Sequence, residues 1–497
     1  MDRIQVKEGK DLNLTDLAKH IQLINQLSNS DINVTHVTTD SREVVPGTLF
    51  VAIKGYTVDG HDYAATAVER GAVAIVSDRP LDVPVPNLVV RDSSRAVGLL
   101  ASAFYGYPSE QMRMFGITGT NGKTTTTTIL RDVLAELGHS TGLIGTVEVR
   151  INDRVVPSKN TTPQSSELQQ LLAQMKAEGV TDVMMEVSSH GLELGRVIGT
   201  DFDIVGFTNL THDHLDFHGT FDNYARAKGL LFAQLGQIAS RGKVAVLNAD
   251  DPYSKLYETM TGARVMTYGI DAPADVLATN IVQTLSDTSF HLHYQGESLP
   301  VTVQFIGRFN VYNILLATGC LLAAGYSLAK IIEALEAIHP AKGRMQRLDV
   351  PGYNVYADYA HTPDGIEQCL KSLVGVPKED IIFLIGTGGN RDVTKRPTMG
   401  QMASKYAGTV VITTDDPRFE AYDSITSGIA SGMTHDNFVE IGDREEAVRY
   451  AASLAKPTNI VVLAGKGHEK YQIIGNEKIP LDEEKIVRAT ILKTEES

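Results

Sequence analysis

The seven residues Gly119 to Thr125, reading G-T-N-G-K-T-T, constrain the fold more than any other stretch of the chain. An apolar run, Met114, Phe115, Gly116 and Ile117, leads into them, and a helical pattern leads out. A strand, a glycine turn and a helix N-terminus in that order make a phosphate cradle. Backbone N–H groups freed by Gly119 and Gly122 can face phosphate oxygens, with Thr120, Asn121 and Thr125 completing the loop. Lys123 can reach the β- and γ-phosphates, and the Thr124 hydroxyl can hold Mg2+. The loop is one residue shorter than G-x-x-x-x-G-K-[ST], since Ile117 stands five places before Gly122 where the longer pattern has glycine. A glycine turn that merely joins a strand to a helix is the bland alternative. By itself the motif implies a nucleoside triphosphate and no more; a P-loop switch or motor protein remains open.

At 497 residues the chain exceeds a single core, and ordinary domain sizes imply about three. Punctuation divides it into a small α/β unit over 1–108, a central phosphate-loop unit over 109–342 and a third unit over 343–497. In the central unit strand runs such as Met114–Thr118, Thr141–Gly145, Asp182–Val187, Ile204–Thr208 and Lys243–Asn248 alternate with helical runs, the signature of a parallel sheet with crossover helices. The runs Tyr353–Ala357, Ile381–Ile385, Thr409–Thr413 and Ile460–Ala464 repeat the pattern and predict a doubly wound, Rossmann-like third unit. Acidic residues outnumber basic ones 60 to 45, a net charge of −15, which argues against nucleic-acid or anionic-membrane partners but allows a locally basic pocket. The two cysteines, Cys320 and Cys369, lack the spacing of a disulfide framework or zinc site and read as buried small hydrophobes. No N-terminal segment resembles a signal peptide and no run nears the about 18 apolar residues that span a bilayer, so the expectation is a soluble cytoplasmic protein.

Nucleotide chemistry in such sheets sits where strands end in loops, and here the strand ends are polar. One carries Glu186-Val187-Ser188-Ser189-His190; another carries Asn209, His212, Asp213, His214, Asp216 and His218 within ten residues. If the second segment is extended, His212 and His214 fall on one side and Asp213 on the other, so not all can share one ion. His214 with Glu186 is the favoured metal pair, and a solvated polar loop the alternative.

The combination G-T-N-G-K-T-T, E-V-S-S-H-G-L, N-L-T-H-D-H-L-D-F-H-G and Y-A-R-A-K-G-L-L-F resembles the Mur ligases, amide-forming enzymes of peptidoglycan precursor synthesis. So do G-R-F-N-V-Y-N from Gly307, D-Y-A-H-T-P-D from Asp358, G-T-G-G-N-R-D from Gly386, D-D-P-R from Asp415 and G-K-G-H-E from Gly465. Within that family they most resemble the branch that adds a diamino acid to UDP-N-acetylmuramoyl-L-alanyl-D-glutamate. The nearest enzymatic rival, a folylpolyglutamate synthase, shares the loop and the ligation chemistry, but the N-terminal T-T-D-S-R-E-V-V-P-G segment resembles a UDP-sugar module.

The resemblance implies ATP and Mg2+ as cofactors, small-molecule substrates and a monomer. It implies a carbamylated Lys228 (N6-carboxylysine) that binds Mg2+ with Thr124, Glu186 and His214. Lys123, Lys228, His214 and Glu186 become the catalytic set, and Asn310, Asn313, Arg344 and Asp358 the contacts of adenine and ribose. The UDP end is expected at Thr39 and Ser41, and the sugar-dipeptide at Asn160, Thr161, Thr162, Ser188 and Arg196. Leu194 stands where some relatives have a glutamine. The third unit is expected to choose the amino acid through Arg391, Asp415, Asp416, Pro417, Arg418, Gly465 and Glu469. The guanidinium fork of Arg418 suits a distal carboxylate and favours meso-diaminopimelate; Asp416, where diaminopimelate users typically have asparagine, keeps lysine or ornithine open. The implied reaction runs through an acyl phosphate, with the third unit swinging on a hinge near Lys342 and Gly343.

Overall fold

The computed structural model describes residues 12–26, 31–55, 58–156, 160–236, 242–340 and 342–495. Three large sheets organise the chain. The first has four parallel strands in the order His36–Thr38, Thr48–Val51, Ala72–Ser77 and Asn87–Val89. Leu49, Val51, Ala74, Val76 and Leu88 bury one face of it against Val97, Leu100 and Phe104 of the helix Ser93–Phe104.

The second sheet has eleven strands, and its middle explains why distant segments meet. Strand Arg113–Thr118 lies between Asp182–Glu186 and Ile204–Phe207, parallel to both, with Glu186 paired to Ile117 and Phe207 to Thr118. Parallel neighbours in this register end together, so the loops from 119, 187 and 208 leave the same edge. These strands read as unbroken apolar runs because both faces are covered. Helix Lys123–Glu136 supplies Ile129, Leu130, Val133 and Leu134 to one core, and helix Arg308–Ala323 supplies Val311, Ile314, Leu315 and Leu316.

The expectation of simple strand–helix alternation fails at one end of this sheet. Val276–Gln283, Thr288–Tyr294 and Glu297–Val303 form an antiparallel meander joined to the parallel strands. Residues Thr288 to Tyr294 alternate between buried and partly exposed, the period of a sheet covered on one face only.

The third sheet runs Gln346–Arg347, Asn354–Asp358, Ile460–Ala464, Ile381–Thr387, Thr409–Thr414, Phe438–Glu440, parallel except for its first strand. A hairpin, Tyr471–Ile474 with Glu477–Pro480, lies beside it. Both cysteines are buried and unpaired, with Cys369 Sγ 3.2 Å from Met345 Sδ. Among the described residues no helix is long and apolar enough to cross a membrane.

Candidate active site

The phosphate loop is held open by glycine. Gly119 has φ +144° and a Cβ there would fall 1.8 Å from Thr208 Oγ1; Gly122 has φ +87° and its Cβ would fall 2.3 Å from Asn313 Oδ1. No side chain fits either position. Lys123 folds back over the loop, Nζ donating to the carbonyls of Gly119 (2.8 Å) and Thr120 (2.7 Å). Asn209 braces the loop from the neighbouring strand end: Oδ1 accepts from Asn121 N (3.1 Å), and Nδ2 donates to Asn121 O (3.2 Å). The sequence places Asn209 in a polar cluster; its bracing role requires the register of two strands.

A cavity of about 610 Å3 opens over this loop, with Thr120 to Thr125, Glu186, Asp213, His214 and Arg344 on its wall. Glu186 is buried, its two oxygens accepting from the backbone N (3.0 Å) and hydroxyl (2.9 Å) of Thr146. The segment after Asn209 is not extended. His214 adopts φ +54° and caps a short helix, Leu215–His218, so Asp213 and His214 both face the cavity, with Nε2 and Oδ2 3.3 Å apart. The alternation argument that separated them therefore does not hold. His218 turns away, buried with Nε2 3.0 Å from Ser189 Oγ.

Lys228 lies beneath the loop at 1 % exposure, donating to Gly119 O (2.7 Å) and resting 4.6 Å from the Tyr224 ring centre. Burial, reinforced by the positive charge of Lys123, pushes its amine well below the ordinary lysine range. It has no carboxylate partner among the salt bridges of the described residues, against the plain expectation of an ion pair for a lysine at this place.

Two contacts carry the third sheet onto the loop. Asn121 Nδ2 donates to Asp364 Oδ2 (2.8 Å), and Arg344 Nη2 donates to Thr124 Oγ1 (3.3 Å) while its guanidinium sits 4.8 Å from the Tyr359 ring centre. Asp358 is fixed by the amides of Met345 (2.7 Å) and Ala360 (2.8 Å), and burial raises its pKa. Asp358, Arg344 and Asn313 line the cavity; Asn310 does not. Its Nδ2 donates to Ile306 O (2.8 Å) and its Oδ1 accepts from Asn313 Nδ2 (3.1 Å), so it positions Asn313. Nor does it cap its helix, whose N-cap is Gly307. His361, from the same segment as Asp358, also lines the cavity.

The residues expected at the sugar-dipeptide meet in one patch. Thr162 Oγ1 donates to Glu186 O (3.1 Å), contacts Ser188 Oγ (3.0 Å) and accepts from Ser188 N (3.0 Å); Arg196 Nη1 donates to Thr162 O (3.0 Å). Thr161 reaches the Thr146 hydroxyl (3.0 Å), and Asn160 is exposed next to it. Thr39 and Ser41 follow strand His36–Thr38 and do not line the cavity.

The amino-acid residues form a separate cluster off the cavity wall, centred on a lysine absent from the expected set. Lys466, fully buried, meets Asp415 (3.0 Å), Asp416 (2.5 Å) and Glu469 (2.9 Å). Burial opposes its charge, but the three carboxylates outweigh it and raise its pKa. Asp416 Oδ1 also accepts from Ile473 N (2.9 Å). Gly465 donates its N–H to Asp358 O (3.0 Å), tying this cluster to the cavity strand. Arg418, at φ +52°, donates Nη1 to Gly389 O (3.1 Å), while Pro417 is buried and Arg391 exposed.

Comparison with known proteins agrees with this layout. Residues 33–105 match the Mur ligase family catalytic domain, 117–321 the Mur ligase middle domain and 343–467 the Mur ligase glutamate ligase domain. The chain is 49% identical over 464 residues to the UDP-N-acetylmuramoyl-L-alanyl-D-glutamate--2,6-diaminopimelate ligase of Geobacillus thermodenitrificans, covering 92% of this chain and 95% of that protein. It is 44% identical to the protein of the same name from Lactiplantibacillus plantarum, covering 95% and 98%. A solved diaminopimelate ligase structure superposes with TM-score 0.71 at 31% identity, covering 98% of this chain and 100% of that one. A folylpolyglutamate synthase of Mycobacterium tuberculosis shares the fold at TM-score 0.61 and 16% identity, covering 79% of this chain and 93% of that one. Long matches of this identity are decisive where the fold alone is shared more widely, and the chain belongs to the Mur ligase family of ATP-dependent, amide-forming enzymes.

Proposed function

We propose that the chain joins meso-diaminopimelate to the D-glutamate γ-carboxylate of UDP-N-acetylmuramoyl-L-alanyl-D-glutamate. The observation that carries the choice of amino acid is Lys466. Its ammonium occupies Asp416, so the extra carboxylate of D-D-P-R is neutralised from within and is not free for a substrate ammonium. Arg418 commits one N–H to Gly389 O, which leaves the rest of its fork for a distal carboxylate that lysine and ornithine lack. The relatives' names support the same choice. Offering meso-diaminopimelate, lysine and ornithine to the purified enzyme and reading product mass tests it; comparable use of all three would overturn it.

A carboxylate does not acylate an amine at neutral pH because its oxygen leaves poorly, so ATP must activate it. The γ-carboxylate attacks the γ-phosphorus of ATP, ADP leaves, and the acyl phosphate is then open to the amine. Lys123, poised over the loop carbonyls, turns to the transferring phosphoryl group and offsets the charge that develops there. Thr161, Thr162, Ser188 and Arg196 hold the acceptor beside Glu186. Asn313, Arg344 and Asp358 hold the nucleoside, with Asn310 positioning Asn313.

Mg2+ fits the donor set. Thr124, Glu186 and His214 line one cavity, and they supply a hydroxyl, a carboxylate and an imidazole. Lys228 supplies a fourth group once its amine has added to CO2 and lost a proton, which makes a carbamate anion. Its depressed pKa favours the neutral amine that this addition requires. Bound there, the ion would neutralise phosphoryl charge.

The three units act as UDP-binding, ATP-binding and amino-acid-binding domains, with Thr39 and Ser41 at the UDP end. Every group named comes from one chain, consistent with a monomer, and the acidic balance suits small substrates in the cytoplasm better than nucleic acid or membrane.

A further inference from the structure

We propose that His361 Nε2 accepts the proton that the attacking amine sheds as the amide bond forms, a role that rests on the reading of the cavity as an amide-forming site. His361 lines the cavity opposite the phosphate loop. Its Nδ1 lies 2.9 Å from Tyr359 O; a carbonyl only accepts, so Nδ1 carries the hydrogen and Nε2 the lone pair. Among the described residues no hydrogen bond engages Nε2.

The other candidate acceptors are already committed. Glu186, Asp213, Asp250, Asp251, Asp358 and Asp364 line the cavity, and each has both carboxylate oxygens engaged by neighbouring groups. Lys123 spends its N–H groups on the loop. His361 is also well placed between the two ends of the reaction: it feels Asp213 at the phosphate end and Asp415 at the amino-acid end, and Lys395, whose Nζ donates to its carbonyl (3.2 Å), faces it from a third side. The Tyr359 ring meets it edge-on at 5.1 Å and limits its rotation. Burial and Lys395 lower its pKa, against the Tyr359 carbonyl and the two aspartates, so the imidazole is neutral and receptive at pH 7.

In the step assigned, the amine nitrogen forms a bond to the acyl carbon while the carbonyl π pair moves to oxygen. The nitrogen, now cationic, releases a proton to Nε2. The oxyanion re-forms the carbonyl as the carbon–oxygen bond to phosphate breaks, phosphate leaves with that electron pair, and the imidazolium returns its proton to phosphate or water.

The test compares full-length His361→Gln and His361→Ala in two assays, amide formed from UDP-muramoyl dipeptide, ATP and meso-diaminopimelate, and hydroxamate formed when hydroxylamine replaces the diamino acid. Hydroxylamine is neutral at neutral pH and needs no positioned base to capture the acyl phosphate. The expected result is a fall of about 100-fold in amide synthesis with hydroxamate formation retained, and recovery of the alanine variant by added imidazole. Equal losses in both assays, or an undiminished rate of amide synthesis, would overturn the assignment. Failure of the unaltered enzyme to make amide from any diamino acid would instead overturn the ligase reading beneath it.

Discussion

At the phosphate end of the site, two glycines with positive φ bring bare backbone against Thr208 and Asn313, and the cationic groups rest on carbonyls. At the amino-acid end, three carboxylates crowd around one buried ammonium, and the recognition fork of Arg418 hangs on a left-handed turn beside a hairpin. The first is a shape made by main chain and tolerates few substitutions. The second is a balance of charges between side chains, so its specificity can shift by changing one of them while the fold persists. The contrast places catalysis in the rigid part and the choice of amino acid in the adjustable part.

The widest gap between the two ends should appear with Lys123→Ala. Loss of the charge that meets the phosphoryl group is expected to lower amide synthesis by about 10²–10³-fold without changing which diamino acid is preferred. An altered preference would break the division of labour. Lys466→Met should act on the other end by leaving Asp415, Asp416 and Glu469 packed together without their cation. A loss of about 3 kcal/mol in unfolding free energy is expected by denaturant titration, because one partner of a buried charge cluster is gone; an unchanged midpoint would mean the cluster has little hold on the fold.

Arg418→Lys sharpens the comparison further. Replacing a planar fork by a point charge should cut the preference for meso-diaminopimelate over lysine by about 10–100-fold, the equivalent of about 1.5–3 kcal/mol, while phosphate release at saturating substrate changes little. Competition between the two amino acids, read by product mass, decides it.

The smallest effect is one of pH. Glu420 accepts from both Nη atoms of the buried Arg396 (2.6 and 2.9 Å), and from Asn390 N (2.8 Å), holding the loop that carries Arg391. The Arg396 hydrogen bonds lower its pKa from 4.5 to about 2. A depressed carboxylate stabilises the fold above its unfolded pKa and loses that contribution as pH falls toward the folded value. Glu420→Gln should therefore lower stability by about 1.5 kcal/mol at pH 7, and the difference should shrink between about pH 4.5 and 2. A constant difference over that range would show that the charge of Glu420 is not what stabilises the loop.

What the sequence reveals follows the same divide. The glycine loop is legible because its parts are contiguous and each residue type has one job, and the strands around it are legible as unbroken apolar runs. The roles of Asp213 and His214 are harder to read, since their spacing suggests opposite faces until the left-handed turn at His214 is known. Lys466 and Asp416 lie fifty residues apart and meet only because two strands of one sheet end on the same edge. His361 is a single histidine in a loop, and its importance depends on which carbonyl holds Nδ1. The meander over 276–303 alternates plainly enough, but the eye follows the helices on either side.

Gly343 carries a mechanical consequence. It sits at the junction to the third sheet with φ +69°, so close to Gly467 and His468 that a Cβ would fall 2.2 Å from the His468 amide. A residue clamped this tightly to the body it precedes travels with that body as cargo. The axle of any rotation therefore belongs upstream of Gly343, and the tethers from Asn121 and Arg344 act as latches at the far end of the lever.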